Sequence, residues 1–331
     1  MRIAIVSDAW FPQVNGVVRT IDTVRSKLAA AGHEMLVIGP DRFRTLPCPT
    51  YPEIRLALLP ARAVAALLDG FAPDAVHIAT EGPLGMAARR HCLTRGWRFT
   101  TSFHTKFAEY LHARTRFPIS WTYEWMRCFH AASERIMVAT PSLEAELAEH
   151  GFARLARWTR GVDTELFRPQ APALALPRPV FLYVGRVAVE KNIGAFLELE
   201  LDGSKLVVGD GPQLAQLKRR YPDVHFVGNQ AGEALARHYA AADVFVFPSR
   251  TDTFGLVLLE ALASGLPVAA FPVTGPRDVI DGAPVGCLND DLATAARGAL
   301  GLSRQACRDY ALNFTWDISA GQFLANLARV G

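Results

Sequence analysis

Two loops of the sequence combine cations, glycines or a carboxylate with the start of a helix. In the segment 184–192, Arg186 and Lys191 flank the point where an apolar strand ends and a helix begins. A guanidinium and an ammonium at a helix N-terminus are typical of a diphosphate site. Two solvated cations near a turn are the alternative, which the scarcity of lysine disfavours, because the chain has 5 Lys against 30 Arg.

The second loop lies in the segment 247–260. Phe254 and Gly255 end it, and Leu256 and Val257 begin a helix whose amides can hold phosphate oxygens. Glu260 lies one turn further along, within the apolar stretch LVLLEALA. A buried carboxylate is costly without a partner, and the paired hydroxyls of a ribose would supply two donors. A buried salt bridge is the alternative reading of this residue.

Two further loops follow strands of the N-terminal half. The loop SDAWFPQVNG ends at Gly16, which is either a turn glycine or a point where a phosphate approaches the backbone of the first helix. Its spacing is not G-x-G-x-x-G, so a Rossmann dinucleotide site is not supported. His104 follows the strand that ends at Phe103, and it is either a structural histidine or a polar group at the functional edge of the sheet.

Short apolar strands alternate with helix-length segments along the whole chain, which predicts parallel sheets covered on both faces. The predicted strands lie at 3–6, 35–39, 54–58, 75–78, 99–103 and 136–139, and then at 180–184, 206–208, 224–227, 244–247 and 267–270. We therefore expect an α/β protein with two tandem Rossmann-like, doubly wound domains that face each other across a cleft. Ligands of such sheets bind at the carboxyl ends of the strands.

The predicted domain boundaries depend on a proline-rich stretch. Residues 167–179 contain four prolines, which exclude a helix or a central strand. We expect an N-terminal domain at 1–168, a linker at 169–179, a C-terminal domain at 180–314, and a final helix within 315–331 that packs back towards the N-terminal domain.

Composition excludes several classes of protein. Half of the 331 residues are hydrophobic, so disordered and collagen-like chains are excluded. The five widely spaced cysteines form no metal pattern and favour a reducing compartment. Residues 1–170 carry 21 basic and 16 acidic side chains, a net +5 that suits an anionic surface but does not indicate nucleic acid. Without a signal peptide or an apolar run that could span a membrane, we expect a cytoplasmic protein whose membrane contact is peripheral, on the inner face.

Taken in order, these loops resemble the retaining, nucleotide-sugar-dependent glycosyltransferases of the GT-B class, family 4. The resemblance rests on the segments SDAWFPQVNGVVRT, SFHTKF, GVDTELFRP, YVGRVAVEKN, VVGDGP, ADVFVFPSRTDTFGLVLLEALASGLPVAA and FTWD. PQVNGVVRT with FHTKF is most similar to the branch of bacterial α-mannosyltransferases and sulfolipid synthases. This resemblance makes the N-terminal domain the acceptor side and the C-terminal domain the nucleotide-sugar-binding side.

The resemblance also implies a role for each loop. Gly16 would contact the donor diphosphate, and Arg186 and Lys191 would neutralise its charge as it leaves. Glu260 would bind the ribose, and His104 would lie beside the donor sugar.

Three further residues take their roles from the resemblance. Asp252 stands eight positions before Glu260, where the family more often has Glu, and its shorter side chain would contact the sugar hydroxyls. Asn229 and Gln230 fall where the family has its base pocket. The donor, linked to UDP or GDP, would be a substrate, and no cofactor and no metal ion are expected.

We therefore expect a retaining transfer of a hexose from a nucleoside diphosphate sugar to an acceptor hydroxyl, on a lipid or glycolipid. The resemblance implies attack on the face from which the diphosphate departs. The alternatives are a sugar-nucleotide epimerase, which would use no acceptor, and a non-catalytic nucleotide-sugar sensor, which Asp252 would suit. The missing glycine fingerprint disfavours a nicotinamide dehydrogenase.

The acceptor side contains a mixture of arginines and aromatic residues at 112–130. Its candidate contacts are Arg114, Arg116, Trp121, Trp125 and Arg127. Such a mixture is typical of an anionic membrane interface and equally typical of a packed helix with an aromatic core.

Overall fold

The computed structural model describes residues 1–13, 15–48, 51–104, 106–252, 254–280 and 282–331, and of residues 51–53, 110, 113 and 114 the backbone only. Within these residues the chain forms two compact units. Unit 1 comprises Met1–Arg160 and Trp316–Gly331, and unit 2 comprises Gly161–Thr315.

Unit 1 is a parallel α/β sheet with an added hairpin. Its strands are β1 (Arg2–Val6), β2 (Glu34–Ile38), β3 (Thr45–Cys48), β4 (Tyr51–Ala57), β5 (Ala75–Ile78), β6 (Thr100–Ser102), β7 (Arg135–Val138) and β8 (Leu155–Arg157). Its helices are α1 (Gly16–Ala30), α2 (Ala61–Phe71), α3 (Pro83–Arg95), α4 (Phe107–Thr115), α5 (Ile119–His130) and α6 (Pro141–Glu149). The described strands of the main sheet run in the order β2-β1-β5-β6-β7-β8.

The strands of this sheet are apolar on both faces because helices cover both sides. Ile3 and Ile5 of β1 belong to one core cluster, which also includes side chains of α1, whereas Ala4 and Val6 belong to a second cluster with side chains of α2 and α3. The chain passes from β1 to β2 on one side and returns to β5 on the other. The carboxyl ends of β1 and β5 therefore border the topological switch point, where open α/β sheets bind ligands.

One predicted strand has a different environment from the one expected. The sequence predicts a strand of the parallel sheet at 54–58, but β4 pairs with β3 in a separate antiparallel hairpin. Arg55, in the middle of β4, donates to the hydroxyl of Thr45 at 3.0 Å and to its carbonyl at 3.3 Å. Strands of the main sheet are buried on both faces, and burial of an arginine side chain there would carry a large desolvation cost. This cost explains why β4 lies outside the main sheet.

The last helix of the chain, α14 (Trp316–Asn326), is part of unit 1 and binds the backbone that follows β8. Ser319 donates to the Thr159 carbonyl at 2.8 Å, and the Thr159 amide donates to Gln322 at 2.8 Å. Asn326 donates to the carbonyl of Arg157 at 2.8 Å. These side chains satisfy backbone groups that an edge strand would otherwise leave unpaired.

Unit 2 is a second parallel α/β sheet. Its strands are β9 (Val180–Val184), β10 (Ser204–Val208), β11 (His225–Phe226), β12 (Val244–Phe247), β13 (Val268–Ala270) and β14 (Gly286–Leu288). Its helices are α7 (Ile193–Leu197), α8 (Leu214–Arg220), α9 (Gly232–Ala240), α10 (Leu256–Ala263), α11 (Thr274–Ile280), α12 (Leu292–Ala299) and α13 (Arg304–Ala311). The described strands run in the order β11-β10-β9-β12-β13-β14, all parallel.

The strand order of unit 2 places its switch point between β9 and β12. The chain moves outward from β9 through β10 to β11 and then returns to β12 on the other side of β9. At the carboxyl ends the backbones come very close, because a Cβ on Gly209 would lie 1.9 Å from the carbonyl oxygen of Gly185. Gly209 has a φ of +142°, which glycine adopts without strain.

The prediction of two doubly wound α/β halves is confirmed by these sheets. The boundary between the compact units differs from the one expected at 168. Residues 161–168 and the proline-rich stretch 169–179 belong to unit 2, where Arg308 donates to the carbonyls of Phe167 at 2.6 Å and Thr164 at 2.8 Å.

Candidate active site

The loops that follow β9 and β12 are joined by polar contacts at the switch point of unit 2. Lys191, on the first loop, forms an ion pair with Asp252 on the second, and both side chains are largely buried. Asn192 donates through Nδ2 to the carbonyl of Pro248 at 3.0 Å. The structure therefore brings together a predicted cation and a predicted carboxylate that lie far apart in the sequence.

Arg186 lies on the same loop as Lys191 and remains partly exposed. Its Nη1 is 3.8 Å from Oε1 of Glu190, a weak ion pair, and its carbonyl accepts a 2.7 Å hydrogen bond from the Tyr183 hydroxyl. Burial raises the pKa of Tyr183, and the carboxylates of Asp252 and Glu190 raise it further. The phenol is therefore a stable neutral donor that fixes the backbone under Arg186.

Two buried oxygens in the second loop have no hydrogen-bond partner among the described residues, Oδ2 of Asp252 and Oγ of Ser249. Buried polar atoms are nearly always hydrogen-bonded in native proteins. A ligand hydroxyl is the kind of group that would satisfy such atoms, so this loop is suited to a polyol.

The start of α10 has the features expected of an anion site. Gly255 precedes the helix with a φ of +82°, and no side chain of the described residues caps its amides. Leu256 and Val257 form the first turn, and Phe254 is buried beneath the loop. Backbone amides at an uncapped helix start favour negative charge.

Glu260 is buried in the middle of α10 and accepts a 2.8 Å hydrogen bond from the hydroxyl of Tyr239. The predicted need for a partner is therefore met at least in part by a phenol. The ring of Tyr239 packs edge-on against Phe167, with the ring centroids 5.6 Å apart, so the donor is held rigidly.

Asn229 and Gln230 follow β11, the outer strand of the unit 2 sheet. Two strands, β10 and β9, separate β11 from β12. Asn229 is exposed, and Gln230 donates through Nε2 to the carbonyl of Val227 at 3.1 Å. They are thus at the carboxyl edge of the sheet but two strands away from the loop that precedes α10.

In unit 1, Gly16 is the first residue of α1 and is exposed. The Asn15 side chain accepts hydrogen bonds from the amides of Val17 and Val18, both at 3.0 Å. Two of the amides that a phosphate could use are therefore occupied by a cap, which distinguishes this helix start from that of α10.

His104 follows β6, and both of its ring nitrogens have a protein partner. Nε2 is 2.8 Å from Oγ of Ser102, and Nδ1 is 3.2 Å from Nη2 of Arg160. Burial lowers the pKa of His104 well below 6.5, and the neighbouring Arg160, His77 and His130 lower it further. The imidazole is therefore neutral at physiological pH.

Asp8 is a buried side chain to which the sequence analysis assigned no role. Its carboxylate accepts hydrogen bonds from the amides of Leu84 at 2.9 Å and Gly85 at 3.3 Å, in the first turn of α3. A Cβ on Gly82 would lie 2.5 Å from the Asp8 carboxyl carbon. Its signal in the sequence was an acid directly after an apolar strand, and the structure shows that it caps a helix.

The arginine- and aromatic-rich segment divides between two faces of α5. Trp121 is 68% exposed and Trp125 is 42% exposed, whereas Tyr123 and Phe129 are core residues. The reading as a packed helix is therefore confirmed for Tyr123 and Phe129, whereas Trp121 and Trp125 lie on the exposed face. Helical spacing explains the division, because residues 121 and 125 are one turn apart.

The arginines of this segment differ among themselves. Arg116 is exposed and ends α4, and Arg127 forms a bidentate ion pair with Glu124 on the same helix. The side chain of Arg114 lies outside the described residues.

Within the described part of the chain, no group of three or more His, Cys, Asp and Glu side chains is arranged to hold a metal ion. In the same residues, no helix combines the length and the apolar character that a membrane span requires.

Comparison with solved structures places this fold among glycosyltransferases. The chain matches a sucrose-phosphate synthase from Thermosynechococcus elongatus with a TM-score of 0.76 and 21% identity, over 98% of this chain and 97% of that one. The fold is that of a GT-B glycosyltransferase, as the resemblance implied.

The family follows from sequence comparison. The model described as Glycosyltransferase Family 4 matches residues 14–166, and the model described as Glycosyl transferases group 1 matches residues 178–304. The chain belongs to glycosyltransferase family 4.

Three curated relatives show the range of activities among similar chains. A GDP-mannose-dependent alpha-mannosyltransferase of Mycolicibacterium smegmatis is 34% identical, over 88% of this chain and 84% of its own. The sulfoquinovosyl transferase of Arabidopsis thaliana is 28% identical, over 84% and 61%. An alpha-monoglucosyldiacylglycerol synthase of Streptococcus pneumoniae is 26% identical, over 91% and 78%.

Proposed function

We propose that this glycosyltransferase moves a hexose, with retention of configuration and without a metal ion, from a nucleoside diphosphate sugar to a hydroxyl of a lipid or glycolipid. The observation that carries the proposal is the arrangement at the switch point of unit 2. Arg186, Lys191 and the uncapped start of α10 all offer positive charge or amide donors there.

The leaving group of such a transfer is a diphosphate on which charge develops. Fixed donors aimed at that charge lower the barrier. Lys191 would exchange its ion pair with Asp252 for a diphosphate oxygen, and the carboxylate of Asp252 would then accept hydrogen bonds from the sugar hydroxyls. Because two side-chain cations and the α10 amides share the charge, we propose that no divalent ion and no cofactor is needed.

The remaining donor contacts are proposed from the resemblance together with the local geometry. Glu260 would bind the ribose, Asn229 and Gln230 would border the base, and Gly16 and His104 would contact the diphosphate and the transferred sugar. The acceptor hydroxyl would attack on the face that the diphosphate leaves, and the departing phosphate would take its proton.

GDP-mannose is the first donor to test. The mycobacterial relative with 34% identity is a GDP-mannose-dependent α-mannosyltransferase. Donors linked to UDP are tested beside it for comparison.

We also propose a lipid acceptor at a membrane surface, on the cytoplasmic side. Trp121 and Trp125 are exposed on unit 1, and the streptococcal relative is a monoglucosyldiacylglycerol synthase. Exposed tryptophans beside basic residues favour the interface of an anionic bilayer. The protein would therefore bind the membrane peripherally.

The test is to incubate the protein with GDP-mannose or UDP-glucose and with vesicles that contain diacylglycerol or phosphatidylinositol. Release of the nucleoside diphosphate is measured with and without EDTA, and the anomeric configuration of the product is read by NMR. We expect an α-linked product and full activity in EDTA. A β-linked product would overturn retention, and activity that disappears in EDTA and returns with magnesium would overturn metal independence.

The same assay separates the competing functions. A sugar nucleotide that changes configuration without an acceptor would indicate an epimerase. Tight donor binding with neither transfer nor hydrolysis would indicate a sensor.

A further inference from the structure

The partners of His104 determine where its ring proton sits. The guanidinium of Arg160 can only donate hydrogen bonds, so Nδ1 of His104, 3.2 Å from Nη2, must accept. The hydrogen of the neutral ring is then on Nε2, which donates to Oγ of Ser102 at 2.8 Å.

This assignment is compatible with the rest of the buried network. Oγ of Ser102 lies 3.1 Å from Nε2 of His77 and 3.4 Å from the carbonyl of Ala79, so it can donate to either. Nδ1 of His77 is bonded to the Thr100 hydroxyl at 3.0 Å, which can donate or accept. Whichever ring nitrogen of His77 carries the hydrogen, the hydrogen of His104 stays on Nε2.

Arg160 is itself held in one position. It is 5% exposed, its Nη1 donates to the carbonyl of Trp158 at 2.6 Å, and its guanidinium lies 4.4 Å from the centroid of the Trp158 ring. Trp158 is in turn fixed by Ser319 of α14, with 3.2 Å between Nε1 and Oγ. Burial lowers the pKa of Arg160 to about 9, so the side chain remains a cation at neutral pH.

Three described titratable groups oppose a charge on the ring of His104, namely Arg160, His77 and His130. Arg160 donates to Nδ1, His77 shares the Ser102 hydroxyl with Nε2, and His130, which bonds to Glu81 at 3.1 Å, acts from α5. Of the two nitrogens, Nδ1 faces the guanidinium of Arg160, which is a cation at neutral pH, so Nδ1 accepts a hydrogen bond and does not become protonated.

We propose that Arg160 is a positioning residue that holds His104 as the neutral tautomer with its hydrogen on Nε2. In the proposed function, Nε2 of His104 would exchange the Ser102 hydroxyl for a hydroxyl of the transferred sugar, so that the ring acts as a hydrogen-bond donor and not by proton transfer. The second statement rests on the proposed function, in which His104 contacts the sugar, whereas the tautomer itself does not.

The tautomer is measured by nitrogen-15 NMR of the histidine rings, with the His104 signals identified by their loss in His104→Asn. In the wild type we expect a pyrrole-like Nε2 and a pyridine-like Nδ1 that do not titrate between pH 5 and pH 8. In Arg160→Met, which keeps an unbranched apolar stem and removes the donor, we expect a mixture of the two neutral tautomers, because burial continues to disfavour the charged ring. Arg160→Lys and Arg160→Gln restore a donor to Nδ1 and should restore the wild-type signals.

Turnover of GDP-mannose supplies the second readout. In Arg160→Met we expect kcat to fall about tenfold, the value of one lost hydrogen bond, with little change in KM. Arg135→Gln is the matched control, because this exposed guanidinium also binds carbonyls, those of Ala325 and Asn326, and contacts no described histidine.

The outcomes separate the two statements. A protonated Nδ1 in the wild type, or unchanged signals in Arg160→Met, would overturn the role of Arg160. This holds even if Arg160→Met fails to fold, because the wild-type spectrum and the Lys and Gln variants still decide. Altered signals with unchanged turnover would support the tautomer assignment and overturn the contact between His104 and the sugar.

Discussion

Lys191 is paired with Asp252 in the structure of the protein alone, and this pairing governs how unit 2 would receive a diphosphate. An ammonium that is paired with a carboxylate can transfer to a phosphate without a large movement. The exchange also leaves Asp252 free to accept hydrogen bonds from hydroxyls. One pair thus prepares two of the proposed donor contacts.

We expect Arg186→Ala and Lys191→Ala each to lower turnover by about 10²–10³, because each removes a donor aimed at leaving-group charge. Arg219→Ala and Lys218→Ala, both exposed on α8, are matched controls that should keep wild-type rates. The measurement is the rate of nucleoside diphosphate release from GDP-mannose. Near wild-type rates in both site variants would show that the diphosphate binds elsewhere.

A second prediction concerns the buried pair of Tyr239 and Glu260. Tyr239→Phe removes the donor that orients the carboxylate, so GDP should bind about fivefold more weakly, equivalent to a hydrogen bond of about 1 kcal/mol. Calorimetric titration should show no such loss with a 2′,3′-dideoxy nucleotide, which lacks the hydroxyls that Glu260 would bind. Tyr310→Phe, which removes a phenol bonded to the Val279 carbonyl, is the control. An equal loss for both nucleotides would count against the ribose contact.

The burial of His77 also predicts that the free energy of unfolding decreases at acid pH. Burial lowers the pKa of His77 from 6.5 to about 3. The unfolded chain therefore binds more protons than the folded chain below pH 6.5, and the stability that neutral His77 contributes is lost as the pH falls from there towards 3.

Between pH 7.5 and pH 5.5 this loss amounts to about 1.4 kcal/mol for His77. Urea unfolding at the two pH values should show a smaller decrease in the free energy of unfolding for His77→Gln than for the wild type. The same decrease in both proteins would mean that His77 is protonated in the fold.

At the scale of elements, helix starts decide which loops can take a ligand. The first turn of α3 is capped by Asp8 from the loop after β1, and that of α1 by its own Asn15. The start of α10 has no such cap among the described side chains. The amides at the starts of α1 and α3 are therefore used for capping in unit 1, whereas the amides at the start of α10 in unit 2 remain suited to binding an anion.

We expect Asp8→Ala to lower the free energy of unfolding by about 2 kcal/mol, because the buried amides of Leu84 and Gly85 lose their acceptor. Asp8→Asn keeps an acceptor oxygen and should cost less. Denaturant unfolding of the two variants measures the difference. If they were equally destabilised, charge and not capping would be the function of this residue.

At the scale of the whole molecule, charge is distributed unevenly between the two units. Unit 1 carries 21 basic and 15 acidic residues, a net +6, and unit 2 carries 14 and 17, a net −3, which together give the overall +3. The exposed tryptophans lie on the positive unit. A protein with this distribution should approach an anionic surface through unit 1.

We expect Trp121→Ser and Trp125→Ser to weaken co-sedimentation with anionic vesicles at low salt, and high salt to weaken it further. Arg116→Ser should weaken binding about fivefold, since a basic residue near such a surface contributes about 1 kcal/mol. Leu312→Ser, an exposed apolar residue of unit 2, is the control. Equal, negligible sedimentation with anionic and neutral vesicles would contradict a membrane-bound acceptor.

The order of strands and helices, and the loops that follow β9 and β12, could be predicted from the sequence. Apolar periodicity, glycine and proline are local signals, and they sufficed for both doubly wound halves. They were insufficient for β14, whose three residues include Gly286, and for the three-residue β8. They were also insufficient for the hairpin of β3 and β4, whose pairing depends on where a charged strand can find partners.

Tertiary structure alone decided which partner each site residue has. Lys191 and Asp252 are 61 residues apart, His104 and Arg160 are 56 apart, and Tyr239 and Glu260 are 21 apart. Residue types and spacing could nominate most of these side chains. Their pairing follows from strand order, because parallel strands bring distant carboxyl ends to one edge of a sheet. The pattern of residues along the chain does not specify which strands become neighbours.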